Sequence, residues 1–165
     1  MLIDPNAADS SKNTPAHYAA GYGWLEVLKY LVQHGADPNL QNDWKSTPLS
    51  IAMFKGHLAC ADFLLNQSGV DVNIRDESGR SLLSQTIDNM TDDKAVSQMK
   101  YLLDKEGIDV NLADTQGLTP LHLIATRVSE DEQILKNPSK FVAYWLILLC
   151  YWHSSSVGDT AIGIL

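Results

Sequence analysis

The sequence predicts an all-α solenoid of helix-turn-helix units with projecting β-turns, stacked one on the next. Two markers carry the prediction because they keep one step. Thr-Pro-Ala-His at Thr14–His17 returns as Thr-Pro-Leu-Ser at Thr47–Ser50, as Ser-Leu-Leu-Ser at Ser81–Ser84 and as Thr-Pro-Leu-His at Thr119–His122. Asp-Pro-Asn ends at Asn6 and Asn39, and Asp-Val-Asn at Asn73 and Asn111, so the intervals are 33, 34 and 38 residues. Composition agrees, since 45% of the 165 residues are hydrophobic, which suffices for one packed core.

The markers divide the chain into about three complete repeats and a partial, divergent fourth: residues 12–44, 45–78, 79–116 and 117–136. Residues 1–11 read as the remnant of a preceding repeat and turn, and 137–165 as a divergent apolar tail. Each repeat opens on a cap. Thr14 before Pro15, Thr47 before Pro48 and Thr119 before Pro120 each set a capping hydroxyl ahead of the residue preferred at the first helical position. About seven residues beyond each cap a Gly or a polar residue is expected to end a helix too short to stand alone, so a partner helix must hold it.

The second helix of each repeat supplies that partner. Leu25, Leu28, Leu31 and Val32 lie on one helical face, and the same places hold Leu58, Ala61, Leu64 and Leu65, then Val96, Met99, Leu102 and Leu103. These read as core. Ala19, Ala20 and Ala52 sit where helices must approach closely, and Gly35, Gly69 and Gly107 read as left-handed caps after the second helices. Asp37, Asp71 and Asp109, with Asn39, Asn73 and Asn111, are expected to bond their own turn backbone. The third repeat carries an insertion near 89–95, with Asp88, Asp92 and Asp93 against Lys94. It reads as a solvated acidic loop with Thr91 or Asp92 capping the next helix, or as a docking site for a basic peptide.

These residues resemble the ankyrin repeat. The family pattern of a turn, Thr-Pro-Leu-His, a short helix, Gly-His, a second helix and Gly-Ala-Asp-Val-Asn is matched by 12–42 and 45–76, less closely by 79–114, and over about residues 2–134 in all. The resemblance implies that His17 and His122 bond a neighbouring turn. It also implies that partners bind at turn tips and along the concave face of the first helices. The residues that vary in register there are Tyr18, Ile51, Gln85 and Leu123 four places after the cap, Tyr22 and Lys55 eight places after it, and Trp44, Lys45, Arg75 and Arg80 at the tips. Trp44 is either an interface anchor, as Trp, Tyr and Arg often are, or a lid over its neighbouring turn. Trp44, Tyr22 and Arg75 are expected to share one partner surface.

Charge and motifs bound the function. Twelve Lys and Arg against 20 Asp and Glu give a net charge of −8, which opposes nucleic acid and anionic membranes and directs attention to other proteins. Cys60 and Cys150 lie far apart in sequence, no secretory signal is visible, and a reducing compartment, cytoplasm or nucleus, is expected. Asn66-Gln-Ser and Asn89-Met-Thr then read as chance glycosylation triplets. His17, His34, His57, His122 and His153 are spread one per unit or loop, so neither metal nor cofactor is expected. There is no Gly-rich phosphate loop and no Gly-x-Ser-x-Gly turn, so no catalysis is expected.

Both ends break the register. Asp4-Pro5-Asn6 closes a repeat whose helices are missing, and Asn137 and Lys140 fall where Met99 and Leu102 are expected to be buried. The stretch 141–152 reads as a delayed second helix of repeat four or as sequence foreign to the array. Its 12 apolar residues fall short of the roughly 20 that span a membrane. The expectation is a non-catalytic interaction module, adaptor or scaffold, from a longer intracellular protein. The alternatives are a substrate-recruiting segment of a multidomain enzyme such as a ubiquitin ligase or kinase, and a membrane-tethered regulator through 141–152.

Overall fold

The computed structural model describes residues 4–88 and 93–130. Among them are seven helices: α1 Pro15–Tyr22, α2 Leu25–Gln33, α3 Pro48–Lys55, α4 Leu58–Leu65, α5 Leu82–Asp88, α6 Asp93–Leu103 and α7 Pro120–Glu130. They alternate between two layers. The first helices α1, α3, α5 and α7 pack in one row, and α2 packs on α4 behind them. Among the described residues extended pairing is confined to a single bridge between Arg75 and Ser81. The solenoid read from the sequence is the fold observed.

The caps work as their residue types require. The Thr14 amide donates to His17 Nδ1 at 3.0 Å, which leaves the ring proton on Nε2, and Nε2 donates to the Ser46 carbonyl of the next repeat at 3.0 Å. One imidazole thus closes its own helix and ties down its neighbour's turn. Burial pushes the His17 pKa down from its ordinary value, which keeps this ring neutral. His122 repeats the bond to its own cap, with Thr119 N–H donating to Nδ1 at 3.2 Å, and is exposed. Ser50 substitutes a hydroxyl for the imidazole and accepts from the Thr47 amide at 2.9 Å.

The first helices run further than the spacing suggested. α1 and α3 stop at Gly23 and Gly56, whose φ values of 73° and 78° need glycine, nine places past the caps and not seven. Gly21 lies inside α1, where a Cβ would sit 3.2 Å from Ile51 Cγ2, so it serves close packing and not termination. Gly35, Gly69 and Gly107 do take left-handed φ values of 93°, 81° and 81°.

The core runs through the stack. Leu28, Ala61, Leu64, Met99 and Leu102 are buried, along with Ala19, Ala20 and Ala52, whereas Leu25, Leu31, Val32, Leu58, Leu65 and Leu103 are half-buried at its margin. The side chain of Val96 lies outside the described residues. Each fully buried Leu contributes about 1.5–3 kcal/mol. Polar ties register the layers: Gln98 donates to the Met53 carbonyl at 2.7 Å, and Lys105 and Tyr101 both donate to Asp62 Oδ1, at 2.7 and 3.0 Å. Donation from Lys105 first, then Tyr101, lowers the Asp62 pKa.

The Asp-x-Asn turns split their work. Asp37, Asp71 and Asp109 accept from the amides of Asn39, Asn73 and Asn111, each at 2.8 Å, as expected. The side chains of Asn6 and Asn73 reach outward to the next turn instead of inward. Asn6 donates to the Gly35 carbonyl and accepts from Asp37 N–H, and Asn73 does the same to Gly107 and Asp109. Asn6 is therefore a rung joining its turn to the first repeat. The segment 137–165, with its apolar stretch, lies outside the described residues, as do 89–92 at the heart of the insertion. Among the described residues no helix is long and apolar enough to cross a membrane.

Candidate functional site

Four tip turns project from the helix rows, at 9–12, 42–45, 76–79 and 114–117. Each opens on Asp9, Asn42, Asp76 or Asp114, whose side-chain oxygen accepts from the amides two and four residues on, at 2.8–3.0 Å. That anchoring makes the turns rigid. The fourth residue of every turn has positive φ: Gly79 and Gly117 suit it, while Lys12 and Lys45 bear it at 61° and 54°. The Tyr18 hydroxyl donates to Asp9 at 2.6 Å, the first of several donors that hold the Asp9 carboxyl at about 2.

Between the tips 42–46 and 76–80 and the outer side of α3 lies a groove of about 710 Å³. Trp44 forms part of the tip wall, and Ile51, Phe54 and Lys55 come from α3. Trp44 and Phe54 are each 56% exposed, so both rings present free apolar surface. The Lys55 ammonium lies 5.3 Å from the Phe54 ring centroid. Ser50, Asp76, Glu77 and Gln85 are among its polar lining.

The sequence-derived candidates divide on this geometry. Trp44, Ile51, Lys55 and Arg80 come together in the groove. Arg80 is less available than a tip position suggested, because it pairs with Asp76 at 2.9 Å and Asp88 at 2.7 Å. Asp88 accordingly braces its own repeat and is not a free member of an acidic loop. Tyr18 lines a separate hollow of about 520 Å³ with Trp24, Val27 and Leu31 on the open side of the first repeat. In register, Val27 is 47% exposed where Cys60 and Gln98 are 1% and 7% exposed. Tyr22 stacks on Trp24, with centroids 4.8 Å apart, and Tyr22, Lys45 and Arg75 line neither hollow. Trp44 thus lines the groove, whereas Tyr22 and Arg75 do not.

Phe54 is the groove residue that sequence reasoning passed over. Its register partners are Gly21 and Asp88, and an aromatic standing between small and acidic residues, one place outside the Ala52–Met53 core pair, was the available signal. Among the described residues no three His, Cys, Asp or Glu side chains converge as metal ligands would. Cys60 is buried, and burial raises its thiol pKa.

Comparison with known proteins follows the geometry. Residues 1–76 match a sequence family described as ankyrin repeats, in three copies. The crystal structure of an ankyrin repeat domain from Acinetobacter baumannii AYE superposes with a TM-score of 0.73 at 30% identity, covering 90% of this chain and 69% of that one. A poly [ADP-ribose] polymerase tankyrase of Caenorhabditis elegans is 41% identical over 103 residues, which are 57% of this chain and 4% of the relative. An ankyrin repeat-containing protein of Schizosaccharomyces pombe is 38% identical over 77 residues, 47% of this chain and 36% of the relative. The chain therefore spans well under two thirds of these two relatives' lengths.

Proposed function

Because the chain belongs to the ankyrin-repeat family, we propose that it is a non-catalytic protein-interaction module, an adaptor or scaffold, that seats its partner in the groove beside α3. One observation carries this reading: two aromatic rings, each more than half exposed, line a groove whose walls are rigid turns. Rings held in place lose little freedom on binding, and aromatic anchors supply most of the energy of protein interfaces. Ile51 and Lys55 act with them; Tyr18, Tyr22, Lys45 and Arg75, which do not line the groove, make secondary contacts.

The test is affinity capture with the whole chain, comparing wild type with Trp44→Ala and Phe54→Ala. A partner held in the groove is lost by about 30-fold or more from each variant, as expected for anchors worth 2 kcal/mol. Equal recovery from all three proteins refutes the reading.

A second reading places the same groove as the substrate-recruiting segment of a multidomain enzyme. It draws on the Caenorhabditis elegans relative, a much longer protein whose name is that of a polymerase. The sequence flanking this segment in its parent distinguishes the two. Either way the net charge of −8 disfavours nucleic acid as the partner, and a buried free thiol at Cys60 suits the cytoplasm or nucleus.

A further inference from the structure

Four turns of one pattern have three junctions, and at two of them the same backbone bond joins the tips. The second residue of one turn donates to the third residue of the turn before it: Asp43 N–H to the Ser11 carbonyl at 3.1 Å, and Thr115 N–H to the Ser78 carbonyl at 3.0 Å. Register assigns the middle bond to Glu77 N–H and the Trp44 carbonyl. That bond is absent, and among the described residues neither group has a hydrogen-bond partner. The groove that holds Trp44 and Phe54 lies over this one open junction.

We propose that a partner completes the middle rung: an extended segment of another protein enters between the tips at 42–45 and 76–79 and hydrogen-bonds through its own main chain. One of its carbonyls accepts from Glu77 N–H, and one of its amides donates to the Trp44 carbonyl. An extended chain suits both edges, because its backbone groups point alternately to opposite sides while its side chains alternate between the two faces. An apolar side chain on the inward face meets Trp44 and Phe54. Charge sets the flanks. Arg80 is neutralised by Asp76 and Asp88, whereas Lys55 and Glu77 line the groove without an ion pair among the described residues. The segment therefore carries an acidic residue toward Lys55 and a basic one toward Glu77. This assignment rests on the groove reading and adds the partner's conformation and polarity.

The turn geometry permits a clean deletion of the donor. Gly79 N–H bonds the Asp76 carbonyl at 2.9 Å, so Glu77 is the second residue of a β-turn, where proline is favoured. Glu77→Pro removes the N–H and the charge, and Glu77→Gln removes the charge alone. Peptides are selected from a random-peptide display library on the whole wild-type chain, synthesised, and titrated against Glu77→Pro, Glu77→Gln and Trp44→Ala. Binding falls about 3- to 10-fold further for Glu77→Pro than for Glu77→Gln, and about 30-fold or more for Trp44→Ala. Methylating the peptide amides singly weakens binding at one position by a similar factor, and this readout does not depend on how any variant folds. Equal affinity of Glu77→Pro and Glu77→Gln, with no sensitive peptide amide, overturns the strand-like mode while a Trp44→Ala loss keeps the groove reading. Indifference to Trp44→Ala overturns both. Failure to enrich any peptide overturns the extended partner and leaves the groove to a folded one.

Discussion

Replacing Gly23 by alanine tests how the first repeat is locked to the second. Gly23 ends α1 with φ of +73°, and a Cβ there would lie 2.6 Å from His57 Nδ1 and 2.9 Å from Cε1. Two costs follow. The left-handed backbone costs an L-residue about 1–2 kcal/mol, offset by about 0.4–1 kcal/mol because alanine stiffens the unfolded chain, for a net near 1 kcal/mol. The imidazole must also move, surrendering its 3.1 Å bond from Nε2 to the Gly21 carbonyl, a further 0.5–1.5 kcal/mol or so. The sum is about 2 kcal/mol. Gly69 isolates the first cost, since its φ is +81° and a Cβ there meets nothing within 4 Å, so Gly69→Ala should cost about 1 kcal/mol. Removing the ring isolates the second: in a His57→Ala background Gly23→Ala should also fall to about 1 kcal/mol, a coupling of about 1 kcal/mol. The assay is urea unfolding of the whole chain, followed by circular dichroism. If Gly23→Ala costs no more than Gly69→Ala, or as much without the His57 ring as with it, the contact does not lock the repeats.

Two further outcomes follow from particular residues. Folded His17 takes up its proton below the ordinary value of 6.5, so between the two values the unfolded chain holds the extra proton. Its contribution is full above about 6.5 and declines as the pH falls, by at most about 1.4 kcal/mol per pH unit. Unfolding midpoints between about pH 7 and pH 5 should therefore drop more steeply in wild type than in His17→Gln, and equal slopes remove His17 as the cause. Lys45→Gly relieves a backbone φ of 54°, and after the added entropy of the unfolded chain it should raise stability by about 0.5 kcal/mol. A thermal melt that shifts downward refutes the claim of strain.

What could be read in the sequence was whatever repeats. The Thr-Pro caps and the buried Leu28, Leu64 and Leu102 follow from residue chemistry at a fixed period, the His17 bridge from the resemblance to the ankyrin repeat, and each stands where expected. Relations between repeats were harder to read. Asn6 and Asn73 stitch neighbouring turns, yet the same residues could equally have closed their own. Gly21 looked like a helix stop because local chemistry cannot distinguish a glycine that ends a helix from one that admits Ile51. The groove was half visible: Trp44, Ile51 and Lys55 stood out in register, but Phe54 did not, and the capture of Arg80 by Asp76 and Asp88 depends on side chains four and eight residues away meeting it across a turn and a helix. The missing rung between Trp44 and Glu77 leaves no mark on residue type, because it is a distance between two backbone groups.

The central claim is that partners sit over the junction of the second and third repeats. A photo-crosslinking residue placed at Phe54 of the whole chain, compared with one at Glu26, which lies exposed on α2 outside the groove lining, tests it most directly. The groove account predicts one discrete protein adduct from position 54, abolished by Trp44→Ala, and none from position 26. Adducts of equal yield from both positions, or an adduct at 54 that survives Trp44→Ala, contradict it.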